Sequence, residues 1–98
     1  MPKFNKCEGG AYLFWCPGCE CAHSIWTDPN RKGPCWKFNG DVENPTISPS
    51  LRVQHHRHLV GDIICHSFIK EGKIQYLNDS THKLKGKTIE IPDWNNIE

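Results

Sequence analysis

The feature that most constrains this chain is a cysteine knuckle, Cys16-Pro17-Gly18-Cys19, whose partner residues lie far along the sequence. Zinc prefers paired cysteine or histidine ligands a few residues apart, and proline and glycine favour the tight bend that turns two sulfurs toward one ion. Cys65 and His82 come from distant segments. A metal that joins distant segments stabilises a short chain strongly, because it closes a long loop. The knuckle therefore predicts a fold held together by a metal clip.

We predict one zinc ion bound by four residues, Cys16, Cys19, Cys65 and His82. Cys65 and His66 are adjacent in a predicted strand, and adjacent strand residues point to opposite faces. Only one of these two is therefore expected to reach the ion. His66 or His23 is the substitute for the fourth ligand. Four protein ligands would make the site structural, whereas three ligands and a water would make it hydrolytic.

A redox site is the alternative interpretation of the knuckle, because Trp15 followed by a Cys-x-x-Cys pair is typical of thioredoxin-like proteins. Those sites lie at the start of a helix, whose amides lower the thiol pKa. The residues after Cys19 have weak helical periodicity, and Pro17 follows the first cysteine rather than preceding the second. The pattern favours metal binding.

Length and composition predict one small globular domain over residues 1–98. The formal net charge is +1, which does not require nucleic acid or an anionic membrane as a partner. No segment approaches the ~20 apolar residues of a membrane span, and no apolar run follows the first residues, so we expect no signal peptide and no membrane association. In a reducing cytoplasm, cysteines serve as metal ligands or free thiols. The remaining cysteines, Cys7, Cys21 and Cys35, are interpreted as packed residues, with Cys21 as an alternative ligand because it forms a Cys-x-Cys pair with Cys19.

The hydrophobic periodicity predicts a mainly β fold, a small domain of short antiparallel strands and hairpins clipped by zinc. The clearest pair, 63–69 and 73–77, is joined by the two-residue turn Glu71-Gly72. Seven prolines and eight glycines argue against long helices. Capping residues between Asn78 and Gly86 predict one short helical turn near His82. The other predicted strands are 11–15, 23–27, 36–39, 51–54 and 88–91.

Two groups of residues are candidates for chemistry or recognition. His66 and Asp79 are the candidate catalytic residues, since a histidine beside a carboxylate can act as a general base. Residues 39–50 are dense in hydroxyls and amides. This segment is interpreted either as a surface loop held by its own hydrogen bonds or as a ligand pocket. The candidate ligand-binding residues are Asn39, Thr46, Ser48 and Trp36.

An ordered series of motifs covers residues 12–94. It comprises Phe14–Cys19, Trp36–Asp41, Pro45–Ser50, Cys65–Phe68, Gly72–Leu77, Asp79–His82 and Pro92–Trp94. By these motifs the chain resembles a family of small phage and prophage proteins classed as a domain of unknown function, some of them labelled ammonia monooxygenase. The resemblance implies a phage origin and action in the cytoplasm of a bacterial host. Many members have cysteine where this chain has Ser80, which favours His82 as a ligand here.

We therefore predict a small zinc-binding phage accessory protein that binds a host or host-defence component, either protein or nucleic acid. The first alternative is a zinc-dependent hydrolase acting on a nucleotide-like or other small substrate. The second is a single-stranded nucleic-acid binder, in which aromatic and basic residues around Trp36 stack with bases. The partner and the oligomeric state are left open by the sequence.

Overall fold

The computed structural model describes residues 2–96 and is built mainly from antiparallel β-strands, as predicted. The described residues form a three-stranded sheet, β1-β2-β3, a two-stranded sheet, β4-β5, and a four-stranded sheet, β6-β7-β8-β9. Residues 1, 97 and 98 of the predicted single domain lie outside the described residues. The strands are β1 Asn5–Lys6, β2 Ala11–Cys16, β3 Cys21–Trp26, β4 Lys37–Phe38, β5 Ile47–Ser48, β6 Leu51–Arg57, β7 Gly61–Lys70, β8 Lys73–Tyr76 and β9 Thr88–Glu90.

The cysteine knuckle is the tip of the β2–β3 hairpin. Cys16 pairs with Cys21 at the last rung of this hairpin. The Glu20 amide closes the turn by donating to the Cys16 carbonyl at 2.8 Å. Cys16 and Cys19 are both fully buried. The bend therefore directs both sulfurs into the core, as the Pro-Gly pair predicts.

Strand β7 has one buried face and one outer face. Its inward residues are Ile63, Cys65, Ser67 and Ile69, all buried. The residues between them, including His66 and Phe68, point to the outer face. This alternation is the expected consequence of the two-residue period of a strand. It places Cys65 and His66 on opposite sides of the same strand.

The predicted hairpin turn at Glu71-Gly72 joins β7 to β8. Both residues have positive φ, 51° and 79°, as a primed two-residue turn requires. The turn is held from outside the hairpin, because the Glu71 amide donates to Thr46 Oγ1 at 2.8 Å. The segment of residues 39–50 is therefore docked on the end of this hairpin.

Aromatic packing links the sheets into one core. Phe4 stacks on Phe14 and on Phe38, with ring centroids 5.5 Å apart in both pairs. Ile25 from β3 and Ile74 from β8 are fully buried in the same cluster. Burying each such side chain contributes roughly 1.5–3 kcal/mol, which is substantial for a chain of this size.

The helical turn predicted near His82 is not formed, so this part of the prediction is wrong. Residues 81–87 instead make hydrogen-bonded turns, in which Lys85 donates to the His82 carbonyl and Lys87 to the Leu84 carbonyl. The hydroxyls expected to cap a helix bind strand β7 instead. The described helical turns are short 3₁₀ segments at Glu8–Gly10 and Trp94–Asn96. Neither is long and apolar enough to cross a membrane.

Candidate catalytic and metal sites

Four buried residues form a cluster that could hold a metal ion, Cys16, Cys19, His23 and Cys65. Their ligand atoms all lie within 4.8 Å of one another. Two come from the knuckle, one from β3 and one from β7, so the cluster joins the three-stranded sheet to the four-stranded sheet. Three of the four predicted ligands are present, together with the predicted substitute His23.

The geometry and chemistry of the cluster fit a tetrahedral metal. Cys16 Sγ and Cys65 Sγ are 3.8 Å apart, and a tetrahedral ion with ~2.3 Å sulfur bonds separates its sulfurs by about 3.8 Å. The His23 Nε2 atom is buried without a hydrogen-bond partner among the described residues. An unpaired buried ring nitrogen is costly, and coordination to a metal would satisfy it.

The thiols in the cluster differ in acidity because they hydrogen-bond to one another. Hydrogen bonds from Cys19 and Cys65 hold the pKa of Cys16 well below its usual range. The hydrogen bond with Cys16 raises the pKa of Cys19 to about 12, and the hydrogen bonds of Cys65 with Cys16 and Cys19 raise the pKa of Cys65. The Tyr76 hydroxyl lies 3.1 Å from Cys16 Sγ, within hydrogen-bond distance.

His82 lies against the outside of the knuckle and is not in the group of four. Its ring fills the space beside Gly18, where an added Cβ would lie 2.4 Å from the ring. It also packs edge-on against Tyr76, with ring centroids 4.5 Å apart. Burial lowers the pKa of His82. Gly18 is therefore required for the close approach of this histidine.

A second constellation lies on the outer face of β7. Ser50 Oγ is 3.0 Å from His66 Nε2. His66 Nδ1 is 2.9 Å from one Asp79 carboxylate oxygen and 3.1 Å from the other. Ser50, His66 and Asp79 therefore form a continuous hydrogen-bonded chain with the geometry of a serine-hydrolase triad.

The protonation state of this triad follows from its partners. The hydrogen bond from His66 holds the pKa of Asp79 below its usual range, so the carboxylate is ionised at neutral pH. An ionised carboxylate only accepts hydrogen bonds, and the Nδ1 atom must therefore carry the ring proton. The Nε2 atom is left as the acceptor for the Ser50 hydroxyl. This is the tautomer that a general base needs.

Neighbouring side chains fix the backbone of the triad. The Ser80 hydroxyl is buried, accepts from the His66 amide and donates to the His66 carbonyl, both at 3.0 Å. Thr81 Oγ1 accepts from the Ile64 amide at 2.9 Å. These bonds hold the segment that carries Asp79 beside β7. On the other side, Trp36 Nε1 donates to the Ser50 carbonyl at 3.3 Å.

Two cavities are lined by residues that precede Ser50 in the chain. The four candidate ligand-binding residues line them. Asn39, Thr46 and Ser48 line a cavity of 260 Å³, and Trp36 and Ser48 line one of 810 Å³. The larger cavity also includes Pro49, the residue before Ser50. The segment of residues 39–50 therefore borders open space up to Pro49, the residue before Ser50.

A family model described as bacterial ubiquitination-like system serine protease (BubE) matches residues 3–77. The chain belongs to the BubE family. The matched region includes Ser50 and His66, and Asp79 lies just beyond its end. Neither the curated proteins nor the solved structures gave a match. The predicted phage origin and the predicted host or defence partner are tested by none of these findings and stay predictions.

Ser50 is the residue of this BubE-family site that the sequence did not reveal. It is one hydroxyl among several in residues 39–50, and no local spacing distinguishes it. Ser67, adjacent to His66, is the nearer serine in sequence, but it is fully buried on the inner face of β7. Only the pairing of β6 with β7 brings Ser50 to the same face as His66.

Proposed function

We propose that this chain is a serine protease acting in a bacterial ubiquitination-like system, with Ser50 as nucleophile, His66 as general base and Asp79 as the residue that orients His66. The Ser50–His66–Asp79 hydrogen-bonded chain is the observation that carries the proposal. The family description names the same class of enzyme. Two independent lines thus support one chemistry.

The residues support the following sequence of steps. Ser50 Oγ attacks the carbonyl carbon of the scissile amide, and its proton moves to His66 Nε2. The carbon–nitrogen bond breaks as His66 gives that proton to the leaving amine, which leaves an acyl ester on Ser50. A water molecule, deprotonated by His66, then hydrolyses the ester and restores the Ser50 hydroxyl. Asp79 stays ionised throughout and stabilises the imidazolium.

The hydrogen-bonded chain itself can be tested by its effect on the reactivity of Ser50. We expect His66→Gln and Asp79→Asn to lower the rate of labelling by a fluorophosphonate by roughly 10²–10⁴-fold, because the serine loses its base or the base loses its tautomer. Labelling is followed by intact-mass spectrometry. His56→Gln is the matched control, since His56 has the same kind of aspartate partner but lies near the far end of β6. Equal labelling of the wild type and the three variants would refute the assignment of His66 and Asp79 to the triad.

We infer that the buried cluster binds zinc through Cys16, Cys19, Cys65 and His23, and that the ion is structural. Four protein ligands leave no open position for a water. His66 and Cys65 face opposite sides of β7, which separates the catalytic residues from the metal. The ion would supply no chemistry to peptide cleavage; it would join the knuckle to the strand that carries His66. This arrangement favours a serine hydrolase over the predicted zinc hydrolase.

The rate of zinc release can decide whether His23 or the predicted His82 is the fourth ligand. We expect His23→Ala to release zinc to a colorimetric chelator at least about tenfold faster than wild type, since it removes a ligand. His82→Ala is the matched control and should retain the ion, because it removes packing against Gly18 and Tyr76 and a hydrogen bond from the Leu84 amide but no ligand of the cluster. The opposite ranking would assign His82 as the ligand.

The remaining expectations are compatible with this proposal and rest on the sequence alone. A bacterial cytoplasm is the expected location, since zinc-bound thiolates persist in a reducing compartment. No observation on the described residues favours single-stranded nucleic acid as a ligand over a protein substrate.

A further inference from the structure

A cavity of 390 Å³ opens on the outer face of the four-stranded sheet. The pairing of Leu51 with Ser67 places Ser50 across from Phe68. Phe68 lines this cavity, together with Thr46, Lys70, Glu71, Lys73 and Gln75. Phe68 lies on the same face of β7 as His66, so the cavity begins two residues along the strand from the histidine of the triad.

Phe68 gives the cavity an apolar wall. Its side chain is 47% exposed, although it lies in the middle of a sheet whose other large apolar residues are buried or half-buried. The other strongly exposed apolar residues among those described, Leu59 and Val60, are at the distant β6–β7 turn. An exposed aromatic beside a catalytic serine is suited to contact the stem of a substrate side chain.

The far end of the cavity is lined by two lysines and one carboxylate, Glu71. Lys70 and Lys73 are direct cross-strand partners, both exposed on the same face. Like charges in this position destabilise a sheet. The carboxylates that face them are Glu71 in the turn and Glu90 across from Lys73. No ion pair within 4.0 Å joins either lysine to a carboxylate of residues 2–96. An anion from a ligand would relieve the repulsion.

The position of His66 decides which part of a substrate would enter. The leaving amine must lie within reach of His66 Nε2 to receive its proton. Along β7, Phe68 is two residues beyond His66, and Lys70 lies about 7 Å further along the same face. The cavity therefore extends away from the leaving group, on the acyl side of the scissile bond.

We propose, on the basis of the proposed protease function, that this cavity selects a glutamate side chain on the acyl side of the cleaved bond. The methylene groups of glutamate contact Phe68, and its carboxylate binds Lys70 and Lys73. A charge-assisted pair is stronger than a neutral hydrogen bond. The neutral isostere glutamine should therefore be a poorer fit at nearly equal size.

The test uses peptidyl diphenyl phosphonates that differ only in the side chain next to phosphorus, which is glutamate, glutamine or lysine. These compounds modify the serine nucleophile directly, and the rate of adduct formation is measured by intact mass. We expect wild type to react at least about tenfold faster with the glutamate compound than with the glutamine compound. The double variant Lys70→Glu, Lys73→Glu should reverse the preference toward lysine. Lys6→Glu, an exposed change on β1, is the charge-matched control and should retain it.

The experiment distinguishes failure of the specificity proposal from failure of the protease assignment. If a small fluorophosphonate labels Ser50 but the three phosphonates react equally, or not at all, the cavity is not the specificity site and the protease assignment stands. If the fluorophosphonate does not label Ser50, the protease assignment fails and the specificity proposal fails with it. Circular dichroism of the double variant verifies that the sheet is intact.

Discussion

Replacing Ser50 with alanine is expected to abolish acyl transfer by this protein. Removing the nucleophile of a triad lowers kcat by roughly 10⁴–10⁶-fold, and the residual rate comes from binding and fixed dipoles alone. Hydrolysis of p-nitrophenyl acetate measures this loss without knowledge of the natural substrate. The change deletes one oxygen from a half-buried side chain, so the fold should be unaffected.

Ser24→Ala is the matched control for this experiment. Ser24 is an exposed serine on β3, in a different sheet from the triad. The Ser24→Ala protein should hydrolyse the ester at the wild-type rate. An Ser50→Ala protein that retains wild-type turnover, with the control also active, would exclude Ser50 as the nucleophile.

Replacing Cys16 with serine is expected to release the metal and unfold the domain. Cys16 is fully buried at the centre of the cluster, where it contacts Cys65 and Tyr76. Structural zinc contributes about 10–16 kcal/mol of apparent binding free energy, whereas a domain of this size has a net stability of only about 5–15 kcal/mol. Loss of a ligand should therefore remove most of the stability. Native mass spectrometry and thermal unfolding measure the two effects on one sample.

Cys35→Ser is the matched control for the metal prediction. Cys35 is half-buried and lies outside the cluster. It should retain one zinc per chain and change the melting temperature little. A metal-free wild type with the same melting temperature as the zinc-loaded protein would show that the fold does not depend on a metal.

The sequence predicts the strands well because their signal is local. The alternation along β7 and the Glu71-Gly72 turn are both readable from adjacent residues, and both are present. The turns after Leu77 are not predicted by the sequence, for the opposite reason. The hydroxyls of Ser80 and Thr81 look like helix caps in isolation, but in the fold they bind the backbone of β7.

The residues that form the metal cluster and the triad are brought together by contacts between strands, which no local sequence pattern encodes. His23 reaches the cluster because the β2–β3 register places it across from Phe14, on the side of the hairpin that faces the core. The short spacing after Cys19 was a usable signal for it. Ser50 joins His66 only through the β6–β7 register, and a hydroxyl in a polar loop has no distinguishing neighbours. The sequence identifies His66 and Asp79 as candidate catalytic residues, but it does not identify Ser50 as their nucleophile.

The most direct measurement is the position of the covalent adduct that a fluorophosphonate forms on the wild-type protein. The adduct is located by proteolytic digestion and tandem mass spectrometry. The triad geometry predicts one adduct per chain, on Ser50. An adduct on any other residue, or an unmodified Ser50 in a folded, zinc-loaded protein, would contradict the assignment of this chain as a serine protease.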